Sequence, residues 1–317
     1  MSTESRSINV NRSARKHGMN VIPAYANVIM HIVLLIGCAC SVLPLLMIIS
    51  ASLTENKTLE MQGYSFLPRN VTFSAYNYLF RLGSFVGIAY RNTIVATVLG
   101  TFICVLTVGL YAYPLSRKDF RFTSFFTFIS FFTMLFSGGI VPFYIMCTQF
   151  LKISDTIFAL FLPAGFSAFW VIVMRTFYKT NVPDEIVESA RIDGASEWRI
   201  LFQIVMPLAL PGLATVALFS TISLWNNFFY CLLLIKDQQL YTLQYMIFSM
   251  LQNIQFLKMA AANLGAAAAG TAIALSNLPS ESFRMAMAVV TIGPIIVAYP
   301  FFQRFYMKGL TIGALKS

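Results

Sequence analysis

Charge is what this 317-residue sequence has least of: only 11% of its residues are Asp, Glu, Lys or Arg. A soluble domain carries about 25%. With 58% hydrophobic residues, 30 Phe and 15 Met, a water-exposed fold would carry large apolar patches. Solvated globular, fibrous and disordered chains are therefore excluded, and the composition is that of a polytopic membrane protein. Histidine is nearly absent, with two residues and no H-E-x-x-H. The five cysteines (Cys38, Cys40, Cys104, Cys147, Cys231) all fall in apolar stretches. Cys38 and Cys40 would point to different helix faces, so neither a disulfide framework nor a metal site is read. No G-x-x-x-x-G-K-[ST] phosphate loop is present. Any energy for transport must then come from another chain. Internal repeats and intramembrane charges, the marks of a secondary carrier, are also missing.

A helix needs about 20 apolar residues to cross the hydrocarbon. Six stretches meet or approach this: Ala26–Ile49, Ile94–Ala112, Phe122–Cys147, Thr156–Met174, Leu208–Ile235 and Met285–Gln303. The first is too long for a signal-peptide core and reads as an uncleaved span. A seventh run, Ala260–Leu275, is short and broken by Asn263. It is expected as an exterior loop or a short packed helix. With six spans, fourteen of the 22 Lys and Arg fall on one side. They lie in the N-terminus (Arg6, Arg12, Arg15, Lys16), the 117–121 turn (Arg117, Lys118, Arg121), the 175–207 loop (Arg175, Lys179, Arg191, Arg199) and the tail (Arg304, Lys308, Lys316). That side is cytoplasmic, with both termini. The net charge of +10 is thereby explained without nucleic acid. The expected division is a tail at 1–25, a transmembrane domain at 26–305 and a second tail at 306–317. A cytoplasmic loop at 179–207 and an exterior loop at 236–284 lie within the domain.

Glycines and prolines punctuate the spans, notably Gly138-Gly139 with Pro142, and Pro211 with Gly212. They admit two readings, ordinary kinks or bends that shape a pathway. The 175–207 loop is the most charged part of the chain. Pro183, Asp184 and Glu185 suit a helix start. Gly194 suits its end, and Ser196 can cap a second helix. Trp198, Leu201, Phe202 and Val205 then form an apolar stripe, expected to face the membrane domain, and Pro207 ends the helix. On the first helix Ile186, Ala190 and Asp193 share a face. Ala190 and Gly194 would permit close approach of a partner, with Glu188 and Asp193 free to pair with Arg or Lys. The alternative is a solvated interfacial loop.

Two asparagines at membrane depth, Asn226 and Asn227, are costly unless paired or wet. They either join helices or, with Trp225, Phe229 and Tyr230, line a solute pathway. Aromatic faces pack on sugar CH groups, and amides bond hydroxyls. Ser137, Phe143 and Tyr144, beside the Gly138-Gly139 break, are further candidates.

Glu188-Ser189-Ala190, Asp193-Gly194-Ala195, Pro207 and Pro211 resemble the EAA signature of ABC importer permeases. Ser189 stands where that family usually has Ala, and Phe202 lies one position beyond its frequent Phe. Ala112–Lys118, Met134–Gly139, Trp225-Asn226-Asn227 and Lys308–Ala314 are similar to carbohydrate-uptake permeases of the MalG type, in the branch serving oligosaccharides from polysaccharide breakdown. The resemblance runs from about Ala26 to the C-terminus. It implies an all-α, six-helix type I permease fold in a bacterial cytoplasmic (inner) membrane, with a cytoplasmic EAA coupling helix. It also implies a second permease, two ATPase subunits, an exterior binding protein and an oligosaccharide substrate. No cofactor would bind this chain, since ATP and Mg would sit in the ATPase subunits, and it would catalyse nothing itself. On this reading Glu188, Ser189, Ala190, Asp193, Gly194 and Ala195 meet the ATPase, with Trp198, Phe202, Pro207 and Pro211 as scaffold. The competing readings are an ABC permease for a non-sugar solute and a stand-alone channel or carrier.

Overall fold

The computed structural model describes residues 24–81, 83–263 and 280–314. All regular elements among them are helical, and β-structure is confined to a single Thr54–Val71 bridge. The chain divides into two compact units, Met1–Met47 and Ile48–Ser317. The described part of the first unit is the bulk of α1 (Ala24–Ser52), an apolar helix long enough to span a bilayer.

In the second unit two short helices, α2 (Asn56–Gln62) and α3 (Ser74–Arg81), lead into α4 (Gly83–Ser116). α4 has 34 residues, about 50 Å of helix, so it overreaches the hydrocarbon and projects beyond it. The three apolar stretches that follow are not straight. Phe122–Cys147 breaks into α5 (Thr123–Leu135) and the helical segment α6 (Ile140–Phe150), bent by 114°. The cause is local: Phe136 is extended and Gly139 adopts φ +85°, a conformation only glycine takes at low cost. Thr156–Met174 becomes a 3₁₀ segment at Ile157–Ala164 and α7 (Ala168–Asn181), bent by 48°. The cytoplasmic segment forms α8 (Asp184–Ile192) and α9 (Glu197–Leu208), and α10 (Leu210–Trp225) leaves α9 at 78°. Pro207 therefore does not end α9. The turn falls at Ala209, just before Pro211 in the first turn of α10. A short α11 (Phe229–Leu234) follows the break at 226–228. Among the described residues two helices can cross a membrane unbroken by length and composition, and up to five segments can if each bent pair is one span. The expected sixth stretch lies in α13 (Ser280–Ala314), whose helix continues through residues 306–314.

Over its described length the 236–284 segment is largely helical. It contains α12 (Leu243–Asn263), with Leu243 and Met246 buried. Asn92 of α4 donates to the carbonyls of Gln239 (2.7 Å) and Tyr241 (3.1 Å), holding the approach to α12. Most of the Ala260–Leu275 run lies outside the described residues.

α4 is the central post. Gly100 lets Leu224 of α10 and Phe161 come close, and Gly109 does the same for Met206 of α9. Thr101 and Thr221 share a hydrogen bond across the α4–α10 seam (3.1 Å), and Ser220 donates to the Cys104 sulfur (3.1 Å). Small and hydroxyl-bearing residues are what close helix packing in lipid requires.

Candidate functional site

The cytoplasmic helices follow from their own sequence. Pro183 sits immediately before α8, and Asp184 and Glu185 occupy its positive end. Gly194 closes the turn at φ +76°, where a side chain would be strained. The Ser196 hydroxyl accepts from the Arg199 N–H and caps α9.

Burial sorts the expected contact residues into two sets. Val187 and Ala190 are buried in the core that also holds Tyr178, Ile200 and Val205. Ala190 therefore faces this chain's own interior. Glu188, Ser189, Asp193 and Gly194 are exposed, Ala195 is half-buried, and Ile192 is 86% exposed. The apolar stripe of α9 also divides. Leu201 and Val205 turn inward, whereas Trp198, 66% exposed, stacks on Phe202 at 6.1 Å on the outside. The expectation that all four face the membrane domain is corrected. A 3.6-residue period lets positions 198 and 202 lie to one side of 201 and 205. Pro207 is exposed, and Pro211 is half-buried.

Charges tie this surface to the end of α4. Arg117, only 6% exposed, donates to Asp184 at 3.2 Å, and Lys118 pairs with the same carboxylate at 2.9 Å. Arg191 pairs with Asp119 and with Glu197, each at 2.7 Å. The Tyr113 hydroxyl donates to the second Glu197 oxygen at 2.8 Å. The Arg117 guanidinium lies 5.6 Å from the centre of the Tyr113 ring. The hydrogen bond from Lys118 leads in holding the Asp184 carboxyl below its ordinary range. The bond to Glu197 leads in raising Arg191. Two cavities flank the network. One, of about 490 Å³, has Leu110, Phe120 and Trp198 among its walls, and the other, of about 270 Å³, is lined by charged side chains including Glu185 and Glu188. The sequence reading missed Tyr113, Asp119, Arg191 and Glu197 as a group. The available signal was charge of both signs in two segments assigned to the same side.

The second group of candidates gathers at the break after α10. Trp225 ends that helix, is 6% exposed, and donates its indole N–H to the Thr291 carbonyl at 3.2 Å. Asn226 is exposed; its amide donates to the Ile222 carbonyl (2.9 Å) and accepts from Gln244 (3.3 Å). Asn227 accepts from the Tyr230 N–H at 3.0 Å. The two asparagines are therefore not successive positions of a continuous helix, as a 28-residue apolar run suggests. Asn227 satisfies an N–H in the first turn of α11 that the break leaves open, whereas the Ile222 carbonyl bonded by the Asn226 amide also accepts the Asn226 backbone N–H. Tyr230 is half-buried and stacks on Phe143 at 5.9 Å, and Phe229 is half-buried. Ser137 and Tyr144 are exposed beside the α5–α6 break. The fold brings Tyr230 and Phe143 together.

Residues 80–312 match the family described as binding-protein-dependent transport system inner membrane component. The chain belongs to this family. It is a multi-pass inner-membrane protein with the permease fold, part of an ABC transport system that works with a solute-binding protein and an ATPase. Family membership removes the stand-alone channel from consideration. The chain is 33% identical over 279 residues to Protein LplC of Bacillus subtilis (strain 168), covering 88% of this chain and 90% of that one. It is 31% identical over 286 residues to the polygalacturonan/rhamnogalacturonan transport system permease protein YtcP of the same organism, covering 89% and 95%. A chain in the crystal structure of a bacterial ABC transporter involved in the import of the acidic polysaccharide alginate superposes with a TM-score of 0.71. It is 30% identical and covers 88% of this chain and 96% of its own length.

Proposed function

We propose that this permease imports oligosaccharides, forming the translocation pathway with a second permease chain and hydrolysing nothing itself. Two ATPase subunits, which bind ATP and Mg, drive alternating access, and an exterior binding protein delivers the sugar. Both termini face the cytoplasm. The observation that carries the reading is the outer edge of α8. Glu188, Ser189, Ile192, Asp193 and Gly194 face away from the core, while Val187 and Ala190 anchor the helix from behind. An exposed acidic edge on a firmly seated helix suits docking in a cleft of an ATPase subunit. The polygalacturonan/rhamnogalacturonan permease among the relatives and the alginate importer among the structural neighbours support a carbohydrate substrate. In the pathway, Asn226, Phe229, Tyr230 and Tyr144 are the sugar-facing candidates, and Trp225 fixes the break that presents them.

The test is the transporter reconstituted in proteoliposomes with its binding protein. Glu188→Ala leaves the chain inserted and lowers sugar uptake per ATP hydrolysed. Normal uptake with wild-type ATPase activity in this variant would remove α8 as the docking element. A panel of oligosaccharides and peptides in the same assay identifies the solute class.

A further inference from the structure

We propose that the 117–121 turn is the receiving half of the coupling device, and that Asp119, Arg191 and Glu197 are positioning residues that clamp α8 to the end of α4. The proposal rests on the reading of α8 as the docking helix and adds the route by which its movement leaves.

α8 is joined to its neighbours by short links, Val182-Pro183 before it and Asp193–Ser196 after it. Such links would absorb a push on α8 by hinging. The ion pairs add to the buried seat of Val187 and Ala190 in removing that freedom, because they hold both ends of the helix to the same turn. Asp184, its first residue, is held by Arg117 and Lys118, and Arg191, its last but one, by Asp119. Arg191 also reaches Glu197 at the start of α9, and Glu197 reaches Tyr113 in the last turn of α4. The contacts close a ring: turn, α8, α9, α4 and back to the turn. A displacement of α8 cannot pivot about one end without breaking a pair at the other. It is therefore delivered to α4, a continuous 34-residue helix whose other end holds the approach to α12 through Asn92.

The members of the ring differ in weight. Lys118 is 88% exposed, and an exposed pair contributes little. Arg191 and Glu197 each join two other elements, so the loss of either opens the ring at two places.

The experiment uses the complete reconstituted transporter and reads three quantities: recovery of ATPase subunits with the permease, stimulation of ATP hydrolysis by sugar-loaded binding protein, and sugar transported per ATP. Glu197→Gln and Asp119→Asn are expected to retain their ATPase subunits. Stimulation should fall at least about fivefold, the low end of typical intersite coupling, and transport per ATP should fall with it. Asp119→Glu, which keeps the charge, should restore both. Unchanged stimulation and transport per ATP in both neutral variants would overturn the proposal. So would loss of the ATPase subunits in step with lost transport, since the clamp would then serve docking. Where Glu197→Gln lowers membrane yield, Tyr113→Phe opens the ring by one hydrogen bond only. A well-inserted Tyr113→Phe with intact stimulation would count equally against it. Glu188→Ala separates the two levels: if it uncouples while the clamp variants do not, only this proposal fails. If it behaves as wild type, the docking reading fails first.

Discussion

Gly100→Ala probes the packing that makes α4 a post. A Cβ at Gly100 would sit 2.7 Å from one Leu224 methyl, 3.2 Å from the other and 2.9 Å from the Phe161 Cβ. Favourable carbon contacts lie at about 3.5–4.0 Å, so the neighbours must retreat by up to about 1 Å. The Leu224 methyls can rotate aside, but the Phe161 Cβ moves only with its backbone. Overpacking of this kind costs about 1–3 kcal/mol. Replacing Gly by Ala inside a helix returns up to about 1 kcal/mol. With about 2 kcal/mol for the overpacking, the middle of that range, the net expectation is a loss of about 1–2 kcal/mol. Gly87 lies in the same helix, and a Cβ there would meet nothing within 4 Å. Gly87→Ala should therefore be neutral or stabilising. Both variants are to be compared with wild type by thermal unfolding of the purified chain in detergent. The midpoint of Gly100→Ala should fall by roughly 2–6 °C, while that of Gly87→Ala holds or rises. Leu224→Ala alone should destabilise, as buried Leu truncations do by about 2–5 kcal/mol. Combined with Gly100→Ala it should cost less than the sum, because the added methyl then enters vacated space. A rise in midpoint for Gly100→Ala, or strict additivity of the pair, would refute the reasoning.

Three further outcomes follow from the site. Gly194 holds φ +76° with open space around its absent side chain. Gly194→Asn should therefore keep coupling and Gly194→Val should lose it, through a backbone strain of about 1–3 kcal/mol; equal ATPase stimulation in the two would contradict this. Trp225→Phe loses the bond to Thr291, about 1 kcal/mol, and leaves a small cavity where one ring of the indole stood, so a drop in thermal midpoint with sugar selectivity unchanged is expected. The Asp184 carboxyl is depressed, first by the Lys118 hydrogen bond. A depressed acid contributes above its unfolded value and loses its contribution as pH falls through the folded one. The difference in coupling between wild type and Asp184→Asn should thus stay flat from about pH 8 to pH 5 and close only in stronger acid; a midpoint near neutrality would assign the effect to another group.

The helical class, the span near the N-terminus and the paired cytoplasmic helices were legible because each has a local cause. α1 and α4 are long apolar runs. Pro183, Gly194 and Ser196 mark α8 and α9 through backbone preferences that act within a few residues. The breaks inside the apolar runs were not legible to the same degree. Gly138-Gly139 marked a break but not its 114° size. That angle depends on what packs against both arms, and composition carries nothing of it. The same limit concealed α12, where an apolar run interrupted by Gln244, Gln252 and Asn253 still forms a helix and Leu243 and Met246 find a core.

The split of the EAA segment shows why a motif read along a chain mixes two kinds of residue. Ala190 and Glu188 are two positions apart, about 200° around a helix, so they cannot serve one surface. Ala190 is buried against this chain's own core, and Glu188 is exposed. The small residue seats α8, and the acid is free to meet a partner. The same division recurs at Trp225 and Asn226, where the indole is buried on Thr291 and the amide is exposed at the break. In both places a residue chosen for contact stands beside one chosen for anchorage. A substitution at the anchor should lower contact function only through lost stability, whereas one at the contact should leave the fold intact. Thermal midpoint and transport measured on the same variants therefore separate them. Ala190→Val and Trp225→Ala should lose both together, and Glu188→Ala and Asn226→Ala should lose transport alone. A normal midpoint with lost transport in Ala190→Val would place that side chain at the partner surface and overturn the division.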